Sequence, residues 1–320
     1  MSILTNRHDF LLLFEVTNGN PNGDPDAGNM PRIDPNTNRG IVTDVCLKRK
    51  IRNFVELFPP ARESDTSNGF KILIKQGAVI ETEQKPAIAA AKDGENKSSL
   101  AGATEAEKAK NWLCREFYDV RTFGGVLSIG DEIMKGSAFG QVRGPVQFSF
   151  GQSVDPITPL EISITRCAVT AEKDKGKERT MGNKHIVPYA LYVAKGYVSP
   201  AFAERTGFTD ADLELFFKAL SRMFEHDRSA ARGEMIVRGI YDFEHVGTHA
   251  EATDATQKAQ NLSETRLGCA HAHKLFEGIK INLDEGKTFP ESFADYTIVN
   301  SWTDDVLISK GVKLHLRHEQ

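Results

Sequence analysis

Lys48, Arg49, Lys50 and Arg52 crowd into one short stretch just after Thr43-Asp44 of the 320-residue chain; such a cluster is more often a solvated helix face, and the sharper reading is an anion site. Thr43 or Asp44 can cap a helix, and the first turn of a helix presents unpaired N–H groups at the positive end of its dipole. Cations one turn apart add to that field, so phosphate is the ligand such a segment favours. From Arg39 to Arg52 there are five Lys/Arg against one Asp, and from Arg166 to Lys184 six against three acids. The whole chain carries a formal charge of −4, so overall positive charge holds no nucleic acid here and local patches would have to.

Other residues invite weaker readings. Arg143 lies in Phe139-Gly-Gln-Val-Arg-Gly-Pro-Val-Gln147, which lacks the Gly-x-x-x-x-Gly-Lys-Ser/Thr of a phosphate-cradling loop, so a tight turn ahead of a strand is the simpler account. Cys269, His271 and His273 alternate as on a strand, and His245 and His249 stand at helical spacing. Neither set has the partner spacing of a zinc site, and no metal or cofactor is assigned. Cys46, Cys114, Cys167 and Cys269 are scattered, as reduced thiols are. Asp24, Asp26 and Asp34 could act as a base or hold a metal, while Asp24-Pro25 and Asp34-Pro35 are also turn formers. No nucleophile stands paired with a base, which argues against a phosphate-binding small-molecule enzyme.

The elements that must position these residues follow from periodicity. Phe10 to Val16 is almost wholly apolar and predicts a strand covered on both faces; it runs into the turn-rich Thr17 to Asp26. Leu47, Ile51, Phe54, Val55 and Phe58 make one face of a helix that Pro59-Pro60 stops, leaving Lys48 and Arg52 on an exposed basic ridge. Phe70 to Lys75 predicts a strand, giving a β-α-β opening. Between Gly77 and Tyr118 the composition is Ala, Lys, Glu and Ser, with helices at 87–91 and 104–110, a surface insertion and not a second core. Strands are predicted at 146–150, 161–170 and 186–198, with Ala171 to His185 as a hairpin tip. Thr209 caps a helix turning Leu213, Phe216, Phe217, Leu220 and Phe224 inward, and strands at 235–243 and 311–317 close the chain. The fold class is α+β, ferredoxin-like with insertions. No apolar run reaches the ~20 residues that span a bilayer, and the N-terminus has no secretory pattern, so a cytoplasmic protein with no membrane partner is expected.

Five segments carry a resemblance: Asn18-Gly-Asn-Pro-Asn-Gly-Asp-Pro25, Val42-Thr-Asp-Val-Cys-Leu-Lys-Arg-Lys-Ile-Arg52, Asp119-Val-Arg-Thr-Phe-Gly124, Arg143-Gly-Pro-Val-Gln147 and Thr180-Met-Gly-Asn-Lys-His-Ile-Val-Pro-Tyr189. In this order they are similar to the guide-RNA backbone subunit of CRISPR Cascade complexes, of the type I-C branch above all, with type I-B next. The resemblance implies one hand-shaped domain over 1–320: a palm related to the RNA-recognition-motif fold (1–76 and 119–320), helical fingers (77–118) and a β-hairpin thumb with its tip at 171–185. It implies a non-catalytic subunit that polymerises as a helical filament along crRNA and presents it to target DNA in antiviral defence. Its partners would be crRNA, target DNA, further copies of itself and other Cascade subunits. Carried over position by position, RNA binding falls to Thr43, Lys48, Arg49 and Arg52, with Arg143, and in the thumb to Met181, Lys184 and His185. The alternative is a target-RNA endonuclease of the type III backbone kind, using a loop aspartate. The aromatic signature of free-standing RNA-recognition modules is absent, which favours a grip on the backbone over stacking of bases.

Overall fold

The apolar run near the N-terminus becomes the central strand of the sheet. In the computed structural model, which describes residues 2–60, 69–92, 104–127, 140–169, 171–174 and 181–319, β1 (His8–Gly19) is buried along nearly its whole length. The turn-rich segment after it folds into a small ribbon, β2 (Gly23–Asp24) with β3 (Met30–Pro31), and leads through β4 (Arg39–Val42) to α1 (Asp44–Leu57). Thr43 is the N-cap of α1, its hydroxyl accepting the Cys46 N–H. Leu47, Ile51, Phe54 and Val55 are buried as their spacing predicts, but Phe58 is 55% exposed, because it lies past the last turn as the C-cap.

Phe70 to Lys75 does not form the expected strand. Lys71 makes one isolated parallel bridge to Phe117, and the N–H groups of Leu73 and Ile74 donate instead to the Asp119 carboxylate at 2.9 and 3.1 Å. A side chain satisfies the donors that a neighbouring strand would have taken, so no β-α-β opening forms. The insertion holds α2 (Ile80–Lys92) and α3 (Glu105–Glu116), followed by α4 (Tyr118–Phe123). Contrary to expectation it has a core of its own, in which Ala87, Ala91, Ala106, Ala109 and Leu113 pack with Leu73, Val120 and Leu127. Alanines let two helices approach closely without a large apolar content. Residues 93–103 of the expected fingers lie outside the described residues.

The ribbon β5 (Gly124–Val126) with β6 (Gln141–Arg143) precedes β7 (Val146–Phe148), β8 (Gly151–Pro156), β9 (Leu160–Thr165) and the long β10 (Met181–Val198). From Val187 onward β10 pairs with β1; from Met181 to Ile186 it pairs with β9. Met181 to His185 are therefore strand and not hairpin tip, while 170 and 175–180 of the expected tip region lie outside the described residues.

After β10 come α5 (Pro200–Thr206), α6 (Asp210–Arg222), β11 (Glu234–His245), α7 (Ala255–Leu267), α8 (Ala272–Glu277), β12 (Ile279–Leu283), β13 (Tyr296–Asn300), α9 (Asp304–Ile308) and β14 (Val312–Glu319). The main sheet is antiparallel, in the order β14-β11-β1-β10-β8-β4. Because side chains alternate along a strand, β1 feeds two cores. Phe10, Leu12, Phe14 and Val16 meet α1 and α6, including Leu47, Ile51, Phe216 and Leu220. Leu11 and Leu13 meet α8, β12 and α9 through Leu275, Phe276, Ile279 and Leu307. Opposite Phe10 stands Gly196, where a Cβ would come within 2.0 Å of the Phe10 ring. Cys269 to His273 is not a strand but the approach to α8, with His271 as its N-cap. In β14 Leu316 keeps the register of Val312 and Leu314 against β11 yet is 49% exposed, and the register shifts only beyond it, between Tyr241 and Ile240. Among the described residues no helix is long and apolar enough to cross a membrane.

Candidate nucleic-acid interface

The start of α1 is assembled from segments far apart in the chain. The Asn22 side-chain oxygen accepts from both the N–H and the hydroxyl of Thr43, each at 2.9 Å, and the Cys46 thiol reaches the Pro21 carbonyl. The Asn-Pro-Asn-Gly turn thus clamps the helix cap, and the Thr43 hydroxyl is committed to that clamp.

The exposed basic ridge expected on α1 is largely neutralised from within. Lys48 is only 9% exposed; its ammonium bonds Asp44 at 2.9 Å and Gln147 at 3.4 Å and lies 5.8 Å from the Phe123 ring centre. Arg52 donates Nε to Asp119 at 2.9 Å, with its guanidinium 5.2 Å from the same ring. Lys50 points inward onto Asp227. Arg49 differs: its partners are the neutral amides of Asn53 and Gln76, at 3.1 and 3.3 Å, and among the described residues no carboxylate pairs with it. An ion pair cancels most of the field a phosphate would feel, and Arg49 is the cation of this helix best placed to attract one.

Asp119, Phe123 and Gln147 are the residues that the sequence reading left out of this site. Asp119 is wholly buried and accepts from Arg52 and from two backbone N–H groups. Two residues on, Arg121 grips Asp212 through two bonds of 3.0 and 2.7 Å and donates to the Gly69 carbonyl at 2.6 Å. Asp212 also closes the capping box of α6 with Thr209. The Asp-Val-Arg-Thr-Phe-Gly segment is thus a cross-brace between α1, α4 and α6. The one signal for it in sequence is two opposite charges, Asp119 and Arg121, in an otherwise apolar stretch.

Arg143 is exposed at the end of β6, its guanidinium 5.0 Å from the Phe202 ring centre. At Gly144 a Cβ would come within 2.3 Å of the Phe123 backbone, so the glycine serves close chain approach, as a tight turn requires. Met181, Lys184 and His185 lie on the arm formed by β9 and the first part of β10, and all six residues of β9 are exposed. Register divides them. Met181, Asn183 and His185 share a face with Thr165, Ser163 and Glu161, while Lys184 and Ile186 share the other with Ile162 and Leu160. The arm is amphipathic, and Met181, 68% exposed, stands on its polar side.

The loop aspartates are engaged in turns. Asp24 accepts from the Asp26 N–H at 3.1 Å and from Arg32 at 3.2 Å; Asp34 accepts from the Asn36 N–H and the Thr37 hydroxyl, and the latter bond foremost holds its carboxyl below the usual range. His245 is buried: Nδ1 accepts the Cys269 N–H and Nε2 donates to Asp9, both at 2.9 Å. Burial pushes the Cys114 thiol up to about 11 and raises that of Cys46, away from reactive thiolates. Among the described residues no three His, Cys, Asp or Glu are grouped to hold a metal ion.

Comparison with known proteins follows this geometry. A "CRISPR-associated protein Cas7" of Haloferax volcanii is 28% identical over 225 residues, 65% of this chain and 61% of the relative, so the match spans under two thirds of that protein. Among solved structures, a chain of a "CRISPR RNA-guided surveillance complex, pre-nicking" is similar at TM-score 0.45 and 18% identity, covering 74% of this chain and 75% of that one. A chain of a type III-B Cmr-beta complex bound to cognate target RNA is similar at TM-score 0.39 and 11% identity, covering 73% and 60%. Likenesses at that level carry no functional argument. The sequence itself is decisive: the model of the family CRISPR-associated protein Cas7 matches residues 6–301, nearly the whole chain, and the chain belongs to that family.

Proposed function

We propose that this chain is a non-catalytic backbone subunit of a type I Cascade complex, of the type I-C branch, which polymerises along crRNA and holds it for pairing with target DNA. The observation that carries the reading is the arm of β9 and β10, which leaves the sheet with both faces uncovered and bears Met181, Lys184 and His185. A two-stranded ribbon is marginal in water alone, and three exposed branched side chains, Leu160, Ile162 and Ile164, ask for a cover that RNA and a neighbouring copy would supply. The palm of this reading is the path β1-α1-β8-β10-α6-β11, and the sheet order β11-β1-β10-β8 with both helices on one face supports taking it as ferredoxin-like, related to the RNA-recognition fold. Its other face is occupied by α8, β12 and α9, which supports backbone grip over base stacking.

The endonuclease alternative is tested beside it. The chain is co-expressed with a guide and weighed: masses rising by whole subunits per guide are expected. The particles are then given complementary RNA with magnesium, and complementary DNA. Pairing without cleavage is expected, and magnesium-dependent cleavage of the RNA, lost in Asp24→Asn or Asp26→Asn, overturns the scaffold reading.

A further inference from the structure

We propose a further phosphodiester-binding point, on β6 and α5, built from Arg143, Phe202 and Arg205; it rests on the RNA-scaffold reading and extends it. Two guanidiniums share one ring: Arg143 lies 5.0 Å from the centre of Phe202 and Arg205 lies 5.7 Å from it. The fold brings them together. The Ser199 N–H donates to the Pro145 carbonyl at 3.0 Å, pinning the start of α5 to the turn after Arg143, and Phe202 and Arg205 then fall one turn apart on that helix.

Like Arg49, this pair has no carboxylate bonded to it among the described residues, although Arg205 still feels the charge of Glu204. Lys48, Lys50, Arg52 and Arg121 each hold a carboxylate, whereas among the described residues neither Arg143 nor Arg205 makes an ion pair. The carboxylate next in sequence, Glu204, is taken by Arg266 through bonds of 2.5 and 2.8 Å. Both arginines are exposed, and Phe202 is half-buried beneath them. Two guanidiniums held within 5.0 and 5.7 Å of one ring centre raise the local positive potential, which a bound anion lowers. A guanidinium stacked on a ring keeps its N–H edges and one flat face open, which suits phosphate oxygens and an unpaired base. The chemistry is that of a single-stranded phosphodiester, supplied by the guide or by the displaced or paired target.

The test uses the full chain. Affinity for a single-stranded guide RNA is measured from low to moderate salt for the parent, for Arg143→Gln with Arg205→Gln, and for Arg143→Lys with Arg205→Lys; the same series is run with guide-loaded protein and complementary DNA. Each lost phosphate contact removes about 0.7 from the salt slope on a single strand, so the Gln pair should lower the slope by roughly 1 to 1.5 and affinity about tenfold, and the Lys pair should keep most of the slope. A change confined to the first arm assigns the site to the guide, and one confined to the second assigns it to the target; either supports the proposal. Slopes unchanged in both arms overturn it, and if subunit assembly is then lost, a protein carboxylate is the true partner. A parent that binds no guide at all overturns the scaffold reading itself, which the slopes of the variants do not test.

Discussion

Arg52 and Asp119 meet with side chains 11% and 0% exposed, while Asp119 also holds two backbone N–H groups of the chain that follows α1. Removing one partner of such a buried pair leaves the other charged and unmatched, at a cost of about 3–5 kcal/mol, far more than an exposed phosphate contact contributes. Asp119→Ala should therefore lower the unfolding free energy by about 3–5 kcal/mol in urea melts, Arg52→Ala by about 2–4, and Arg49→Ala by under about 0.5. Equal stability of Asp119→Ala and parent would remove the cross-brace from this account. Arg49→Ala is thus the clean probe of the helix: guide affinity should fall severalfold with a shallower salt slope and an intact fold. The cap at Thr43 and the apolar face of α1 were legible, because both are local patterns. The neutralisation of the ridge was not, because Asp119 reaches Arg52 across 67 residues of chain and a local charge count does not see it.

At the scale of elements, β1 and α6 were readable from period alone, and Phe70 to Lys75 was misread for a specific reason. Its apolar residues enter cores as strand residues would, Phe70 and Ile72 into one and Leu73 into another, but its N–H groups found a carboxylate instead of a ladder. Periodicity reports burial and is blind to who accepts the hydrogen bonds. At the other edge, β14 is fastened by polar pairs that set a pH window. Burial alone would lower the pKa of His8, but the charge and hydrogen bond of Asp242 outweigh it and hold His8 above its ordinary value of 6.5; Glu244 adds to this and Arg317 opposes it. The stability this gives is whole below pH 6.5 and is lost as pH rises through the folded value. Glu244, hydrogen-bonded foremost by His315 of β14, is pushed down to about 2 from 4.5, so its contribution is whole above pH 4.5 and is lost as pH falls toward 2. Between 4.5 and 6.5 both are present. His8→Gln should flatten the fall in urea midpoint between pH 6.5 and higher pH and weaken the acid limb only slightly, because His8 is a lesser cause of the Glu244 shift than the His315 hydrogen bond. A parent whose midpoint shows no alkaline fall would sink this assignment.

The molecule as a whole covers its sheet on both faces yet sends one arm out uncovered, and these two facts separate what folds the chain from what it does. The cores on the two sides of β1 are closed by α1 and α6 on one side and by α8, β12 and α9 on the other. None of them includes a residue of β9, which is exposed throughout. Met181 and His185 share a face but stand four residues apart on the strand, about 13 Å, so the effects of Met181→Ala and His185→Ala on RNA binding should add within about 0.5 kcal/mol. That a hairpin would project here was legible from two β-branched stretches around a charged segment; which residues share a face was not, because it depends on the register between Met181 and Thr165. Among the described residues of 161–185 no side chain belongs to either core, so replacing the segment with a short Gly-Ser linker should leave the unfolding free energy within about 1 kcal/mol of the parent. The same variant should bind guide RNA weakly and one copy at a time, because the surface that reaches past its own subunit is gone. Mass measurement of parent and linker variant on one guide decides it: masses rising by whole subunits for both would place assembly elsewhere than the arm, and a large loss of stability would mean that the arm belongs to the fold.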